Sequence, residues 1–488
     1  MRRCQKSGLE CDGPKGTAFI EGTIVKSRRS LKSASPGTKH DIREQDTALQ
    51  SISQSAISLR YNQNEVYICY ARKHLLPNGP IDLGLQDLRL ADITPTSGRS
   101  TAKGPVFNHA VLSFATVFFG AEHRQASILT EGYGMHGAAL KQLNSALSDS
   151  RCYVRDEVIL SVITLAMLEC LVPTGPQNYM KHMLGLEKLL ALRELDAIAH
   201  CSTKTSDLYK GTKYMILFAS VRARTPSILA RPEWKAAMRV NCSSEGLQEQ
   251  DLCDVLADCT VLLAERDKLA PRWNQHVRQQ VRLISNAMSS LAYLHGWKER
   301  WDADYDEKSA FEESPRPGDR NWQLSPASSV DNESHCLPTA LRLESDAVAR
   351  MLMLYNTTLI YVLQLLASLP YESPESLLDD YNNNPNTNRH YETPSLRPWQ
   401  CLPHQDDDIW QCIANGEWTA AERLAALQIG RCIPSYLDHK RARSDPQFSS
   451  PVVQWAVTTA WTTLGGDDTA EGRWIRASRR DPSILETF

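Results

Sequence analysis

Apolar residues recur at helical spacing along most of the chain from about residue 63 onward. Phe107 to Ala121 is apolar with small residues interspersed, and Tyr133 to Leu147 repeats apolar positions every three or four residues. Asp156 and Glu157 place negative charge where a helix N-terminus favours it, and the helix they open should run through Leu171 and stop at Pro173. Gln177 to Leu195 puts Met183, Leu186, Leu189 and Leu190 on one face and leaves Lys181, Lys188 and Arg193 for solvent. Further helices are predicted over 205–223, 248–270, 274–300, 339–369, 417–438, 450–464 and 468–480, with Pro and Gly between them. No strand pair joined by a hairpin turn and no fixed-period repeat is visible. The expected fold class is all-α: a large multi-helix domain over 63–480 behind a disordered basic N-terminal arm.

Three stretches break the pattern. Residues 15–60 have little to bury and read as a linker, with the basic cluster Lys26, Arg28, Arg29 and Lys32 followed by Ser-Ala-Ser-Pro-Gly. That cluster suits a nuclear-import signal, a phosphate-contacting arm or a plain solvated linker. Residues 302–335 hold nine Asp/Glu against three Lys/Arg, with Trp301, Phe311 and Trp322 at or inside the borders. Residues 371–409 are rich in Asn, Pro, Asp and Tyr. Both are read as loop insertions. Acidic residues interleaved with aromatics suit an activation or partner-contact segment, and a variable surface loop is the alternative.

Charge sharpens this division. The 488-residue chain has a net charge of −3, yet residues 1–40 carry nine Lys/Arg and three Asp/Glu, so a basic arm precedes an acidic body. Thirteen cysteines, scattered without a repeated spacing, do not form a disulfide framework. Cys170, Cys259 and Cys432 lie in apolar stretches and are expected as small core side chains. Val158 to Val172, taken as the most hydrophobic segment, is shorter than the about 20 residues a membrane span needs, so no membrane partner is expected. Nucleophile elbows, zinc-protease helices, dinucleotide fingerprints and phosphate-binding loops are all missing, and the acidic run beside His404 reads as solvated. An enzyme is not expected.

The first residues suggest what the arm is for. Cys4 and Cys11 have six residues between them, with Gly8 in the connecting turn and Asp12-Gly13-Pro14 after them. This fragment (residues 1–14) resembles the end of the fungal binuclear zinc-cluster DNA-binding domain, in which six cysteines share two zinc ions. On that resemblance Cys4 and Cys11 are the last two ligands. Met1 stands where the fourth cysteine would fall, and the remaining three would lie upstream. Two thiolates are too few to hold such a cluster. Zinc is therefore the cofactor of the full family domain, and none is expected to be bound by this chain.

The body carries a second resemblance. Tyr133, Ala139-Leu140, Leu143 and Leu147, then Leu168-Glu169, then His182, Gly185 and Leu189-Leu190, are similar in order and spacing to the helical regulatory domain of fungal-specific transcription factors. Gly185 is expected to permit close helix approach, the leucines to pack, and His182 to bond a neighbouring helix or line a pocket. The resemblance implies a fungal transcription regulator in the nucleus, one that controls a metabolic or secondary-metabolite gene cluster. Promoter DNA, the transcription machinery and a second copy of the chain are its expected partners. The alternative is a helical co-regulator or scaffold that binds proteins without binding DNA.

Overall fold

The computed structural model describes residues 63–74, 81, 106–149, 152, 155–172, 175, 177–193, 203–304, 311–313, 340–369, 408–442 and 450–478. Among these residues fourteen α-helices form, so the all-α expectation holds for the body. The N-terminal half begins with α1 (Gln63–His74) and is organised by α2 (Val106–Glu122), which is buried along nearly its whole length. Against α2 pack α1, α3 (Ala126–Leu147) and α4 (Asp156–Leu171), and α5 (Asn178–Ala191) packs on α4. Ser161 and Thr164 sit inside the otherwise apolar α4. Their hydroxyls donate to the carbonyls of Glu157 and Leu160, at 2.6 and 2.7 Å, so no polar atom is stranded there.

The crossing of α2 and α3 is set by two glycines. A Cβ on Gly120 would lie 2.8 Å from the Leu129 amide nitrogen, and one on Gly132 would lie 2.7 Å from Val117 Cγ2 and 2.9 Å from its backbone nitrogen. Gly185, expected from sequence to serve this purpose, does not: a Cβ there would meet nothing within 4 Å. The glycine on α5 is only half-buried, while Gly132 faces the α2 backbone.

α6 (Thr203–Ala223) joins the two halves, packing on α5, on α8 (Ser244–Leu269) and on α13 (Pro451–Thr463). A 3-10 turn (Ile228–Ala230) and the short α7 (Pro232–Arg239), neither predicted from sequence, lead into α8. Ser243 caps α8 by accepting from the Gly246 amide at 3.1 Å. Arg239 ties α7 to α8 through Asp251 and Asp254, at 2.7 and 2.6 Å.

The C-terminal half is built around α10 (Asp346–Ala367), flanked by α8, α9 (Val277–Asp304), α12 (Trp418–Ala442) and α13. Although α4 holds the segment expected to be most apolar, α10, at 22 residues, is long and apolar enough, by length and composition, to cross a membrane. Most of its apolar stretch is covered by neighbouring helices. It starts at Asp346 rather than near 339 because Ser345 caps it, its hydroxyl accepting from the Val348 amide at 3.2 Å. The short α11 (Asp408–Ala414) and α14 (Ala470–Ser478) complete the bundle.

One pair of strands departs from the expected pattern. β1 (Phe311–Glu313) and β2 (Ala340–Arg342) pair antiparallel, with Phe311 opposite Arg342. Three-residue strands separated by 26 positions leave no hairpin signal in the sequence. Just after β2, Leu343 is fastened to α12: its amide donates to Ser435 Oγ at 3.0 Å, and His439 Nε2 lies 2.8 Å from its carbonyl oxygen.

Candidate functional site

Three of the residues singled out from sequence come together across α3, α4 and α5. Glu169 lies near the end of α4 and is only 4% exposed. On α3, His136 is also buried, and its Nε2 stands 3.7 Å from Glu169 Oε1, within ion-pair range but beyond a hydrogen bond. Among the described residues, His136 Nδ1 has no hydrogen-bond partner. Burial holds the His136 pKa below the usual imidazole range, and the Glu169 charge opposes that shift. His182 on α5 behaves alike: burial lowers its pKa first, Glu169 opposes, and His136 adds to the lowering. Tyr133, one turn before His136, has its phenol pKa raised by burial and then by Glu169. The result is a carboxylate with two imidazoles and a phenol in electrostatic reach, fixed on three helices. Its imidazoles can take up and release protons. A nucleophile paired with a base is not part of it.

His136 was passed over in the sequence, although its place three residues after Tyr133 puts both on one face of α3. Glu187 was passed over as well. It falls four residues after Met183 and three before Leu190, so helical spacing sets it among the core positions of α5. The structure buries it there at 8% exposure. Its carboxylate accepts from the Ser227 hydroxyl and the Ile228 amide, each at 2.7 Å, and from Ser220 Oγ at 3.3 Å. One side chain of α5 thereby holds the end of α6 and the 3-10 turn that follows it.

A family model described as the fungal specific transcription factor domain matches residues 93–378, more than half of the chain. The chain belongs to this family. The matched region contains every residue of the Tyr133–His136–Glu169–His182 cluster and Glu187. This is a transcription factor domain family, and its members are not enzymes. An uncharacterized protein of Emericella nidulans is 25% identical over 138 residues, covering 28% of this chain and 29% of that protein. The match thus spans less than a third of the relative's own length. No solved structure matches.

Trp301 is not at the border of a loop, because α9 continues to Asp304. Its indole is 4% exposed and stacks on Trp297 with centroids 5.2 Å apart and an interplanar angle of 11°. Trp297 in turn stacks on Tyr355 of α10. Trp301 is thus a core residue, and its use as a partner-facing anchor is corrected. Phe311 lies on β1. Trp322, Cys4, Cys11, Lys26, Arg28, Arg29 and Lys32 lie outside the described residues, as does the expected disordered arm. Arg193, expected in solvent, is instead half-buried beyond the end of α5. Its Nη1 donates to Asp156 Oδ1 at 2.6 Å and to the Tyr209 hydroxyl.

The zinc implied by the resemblance of residues 1–14 finds no place among the described side chains. No group of three or more His, Cys, Asp or Glu is placed to hold a metal ion among them. Cys253, Cys259 and Cys432 are buried, and burial pushes each thiol up to about 12, away from the thiolate that zinc requires. Cys170 is raised by burial too.

Proposed function

We propose that this chain is a fungal transcription regulator in the nucleus that controls a metabolic or secondary-metabolite gene cluster, with its helical body as the regulatory part. The observation that carries this reading is the family match over 93–378, which spans α2 to α10 and the buried cluster at Glu169. Cys4 and Cys11 match the last two of the six thiolates on which selective DNA recognition in the zinc-cluster family rests. DNA contacts made by the basic arm over residues 1–40 are insensitive to base sequence and fall steeply with salt. Lys26, Arg28, Arg29 and Lys32 serve nuclear import, and Phe311 and Trp322 are the aromatic candidates for contact with the transcription machinery.

The acidic balance of the body past residue 40 favours a second reading, a co-regulator brought to promoters by another protein. Deleting the gene, profiling transcripts and mapping a tagged chain on chromatin tests both. A contiguous set of genes should change expression, with the tagged chain enriched at their promoters. Enrichment that disappears when a second factor is removed selects the co-regulator. Unchanged transcripts and no enrichment would refute both readings.

A further inference from the structure

A cavity of about 300 Å³ lies between α6, α8, α10 and α13, away from the Glu169 cluster. This volume is at the small end of the about 300–1,000 Å³ range of ligand sites. Its floor is apolar, with Val221 and Leu263 buried and Phe218 half-buried. Trp455 supports the Phe218 ring edge-on at 5.6 Å. One wall is polar and already ordered: Trp455 Nε1 donates to the Tyr361 hydroxyl at 3.0 Å, and that hydroxyl lies 3.2 Å from Thr459 Oγ1. Gln364 completes this wall, its amide donating to Glu422 at 2.7 Å.

The mouth carries Arg222 and Arg224, both exposed, and neither has a carboxylate partner among the described residues. Arg224 has φ +54°, a left-handed conformation that favours glycine. It closes the end of α6, where the Arg224 amide donates to the Val221 carbonyl and the Thr225 amide to that of Ser220. Glycine is the usual residue at such a helix end. A charged side chain kept at a strained position on a pocket rim points to a role beyond ending the helix. Both guanidiniums also act on the wall: burial raises the Tyr361 phenol pKa, while its two hydrogen bonds and the two arginines pull against that rise.

We propose that this cavity binds a small carboxylic acid, with Arg222 and Arg224 holding the carboxylate at the mouth and Phe218, Val221 and Leu263 receiving a compact apolar body. Guanidinium groups match the planar carboxylate with paired hydrogen bonds. A bare inorganic anion would leave the apolar floor unused, and a neutral amide would forgo the arginines.

Benzoate and hexanoate are the probes, with benzamide and inorganic phosphate as comparisons, each titrated to 20 mM (about the weak-binding range) against the purified full chain. Binding is read by hydrogen exchange of the 218–226 and 455–463 segments and by melting temperature, so the result does not depend on any transcriptional role. Saturable protection of both segments by at least one acid, with little by benzamide or phosphate, is expected. Arg222→Ala and Arg224→Gly should each weaken binding about tenfold or more, as loss of a charge-assisted pair does. Arg224→Gly should also leave the melting temperature unchanged or higher, since glycine suits that backbone, so that loss of binding is separated from loss of fold. Absence of protection by both acids, equal protection by phosphate or benzamide, or protection that persists in both variants would overturn the proposal.

Discussion

Replacing Glu187 tests how the two halves of the helical body are joined. The carboxylate accepts two hydrogen bonds at 2.7 Å and a longer one at 3.3 Å, and no cation pairs with it among the described residues. Hydrogen bonds to a charged group contribute about 1.5–3 kcal/mol each, so the two short ones set the scale. In Glu187→Ala the Ile228 amide loses its acceptor in a buried place, while the Ser227 hydroxyl still accepts from the Leu229 amide at 3.3 Å and can turn elsewhere. Against this stands relief of an unpaired buried charge, which removes part of the cost. The net expectation is a loss of about 3 kcal/mol for Glu187→Ala and about 1–2 kcal/mol for Glu187→Gln, which keeps one acceptor oxygen.

Urea unfolding followed by far-UV circular dichroism gives the first number, and hydrogen exchange at Ile228 gives the local one. Exchange at that amide should accelerate in Glu187→Ala while amides in α10 remain protected. A cycle with Ser227→Ala should return a coupling of about 1–2 kcal/mol, since the two side chains touch. If Glu187→Ala lies within about 0.5 kcal/mol of the parent with unchanged exchange at Ile228, the carboxylate does not hold the turn. If Glu187→Gln is the more stable protein, the buried charge was a liability rather than a clasp.

Two glycines in helices should respond with opposite signs. Gly132→Ala drives a methyl into the Val117 backbone and should cost about 1–3 kcal/mol, whereas Gly185→Ala meets nothing and should gain up to about 1 kcal/mol of helix propensity; melting curves of both variants check this. The Glu169 cluster should make stability depend on pH. His136 and His182 have pKa values below that of an unfolded histidine, about 6.5, so the unfolded chain takes up protons first and stability falls as pH drops below about 6.5 toward the folded values. Replacing both with Gln should flatten the melting temperature between about pH 7 and 5, and an unchanged slope would assign it to other groups.

Much of this was legible where the pattern was long. α2 and α4 fall within a residue or two of their expected bounds, because apolar side chains recur there and Asp156 and Pro173 mark the ends. α7 and α11, of eight and seven residues, give too few turns for a period to register. The error at Trp301 has the same origin in reverse. Acidic residues after it suggested a loop, yet its spacing of four from Trp297 continues the buried face of α9 and outweighs the charge.

The site shows a different limit. Tyr133, Glu169 and His182 were each visible, in the right order, but nothing local says that they meet. Their meeting depends on how closely α3 can lie on α2, and that is decided by Gly132, which has no side chain to leave a pattern. Attention went to Gly185 because it sits within the conspicuous His182 stretch. A glycine reports a close approach only when its own position falls on the buried face, and on α3 that face runs through Gly132, His136, Ala139 and Leu143. Read at that spacing, the same four positions supply both the contact that brings the helices together and the imidazole that faces Glu169. The polar cluster is thus a consequence of the packing around Gly132. A larger residue at 132 should therefore disturb the His136–Glu169 approach before it unfolds the body, which would appear as a shift in the histidine titration at temperatures where the helical signal is intact.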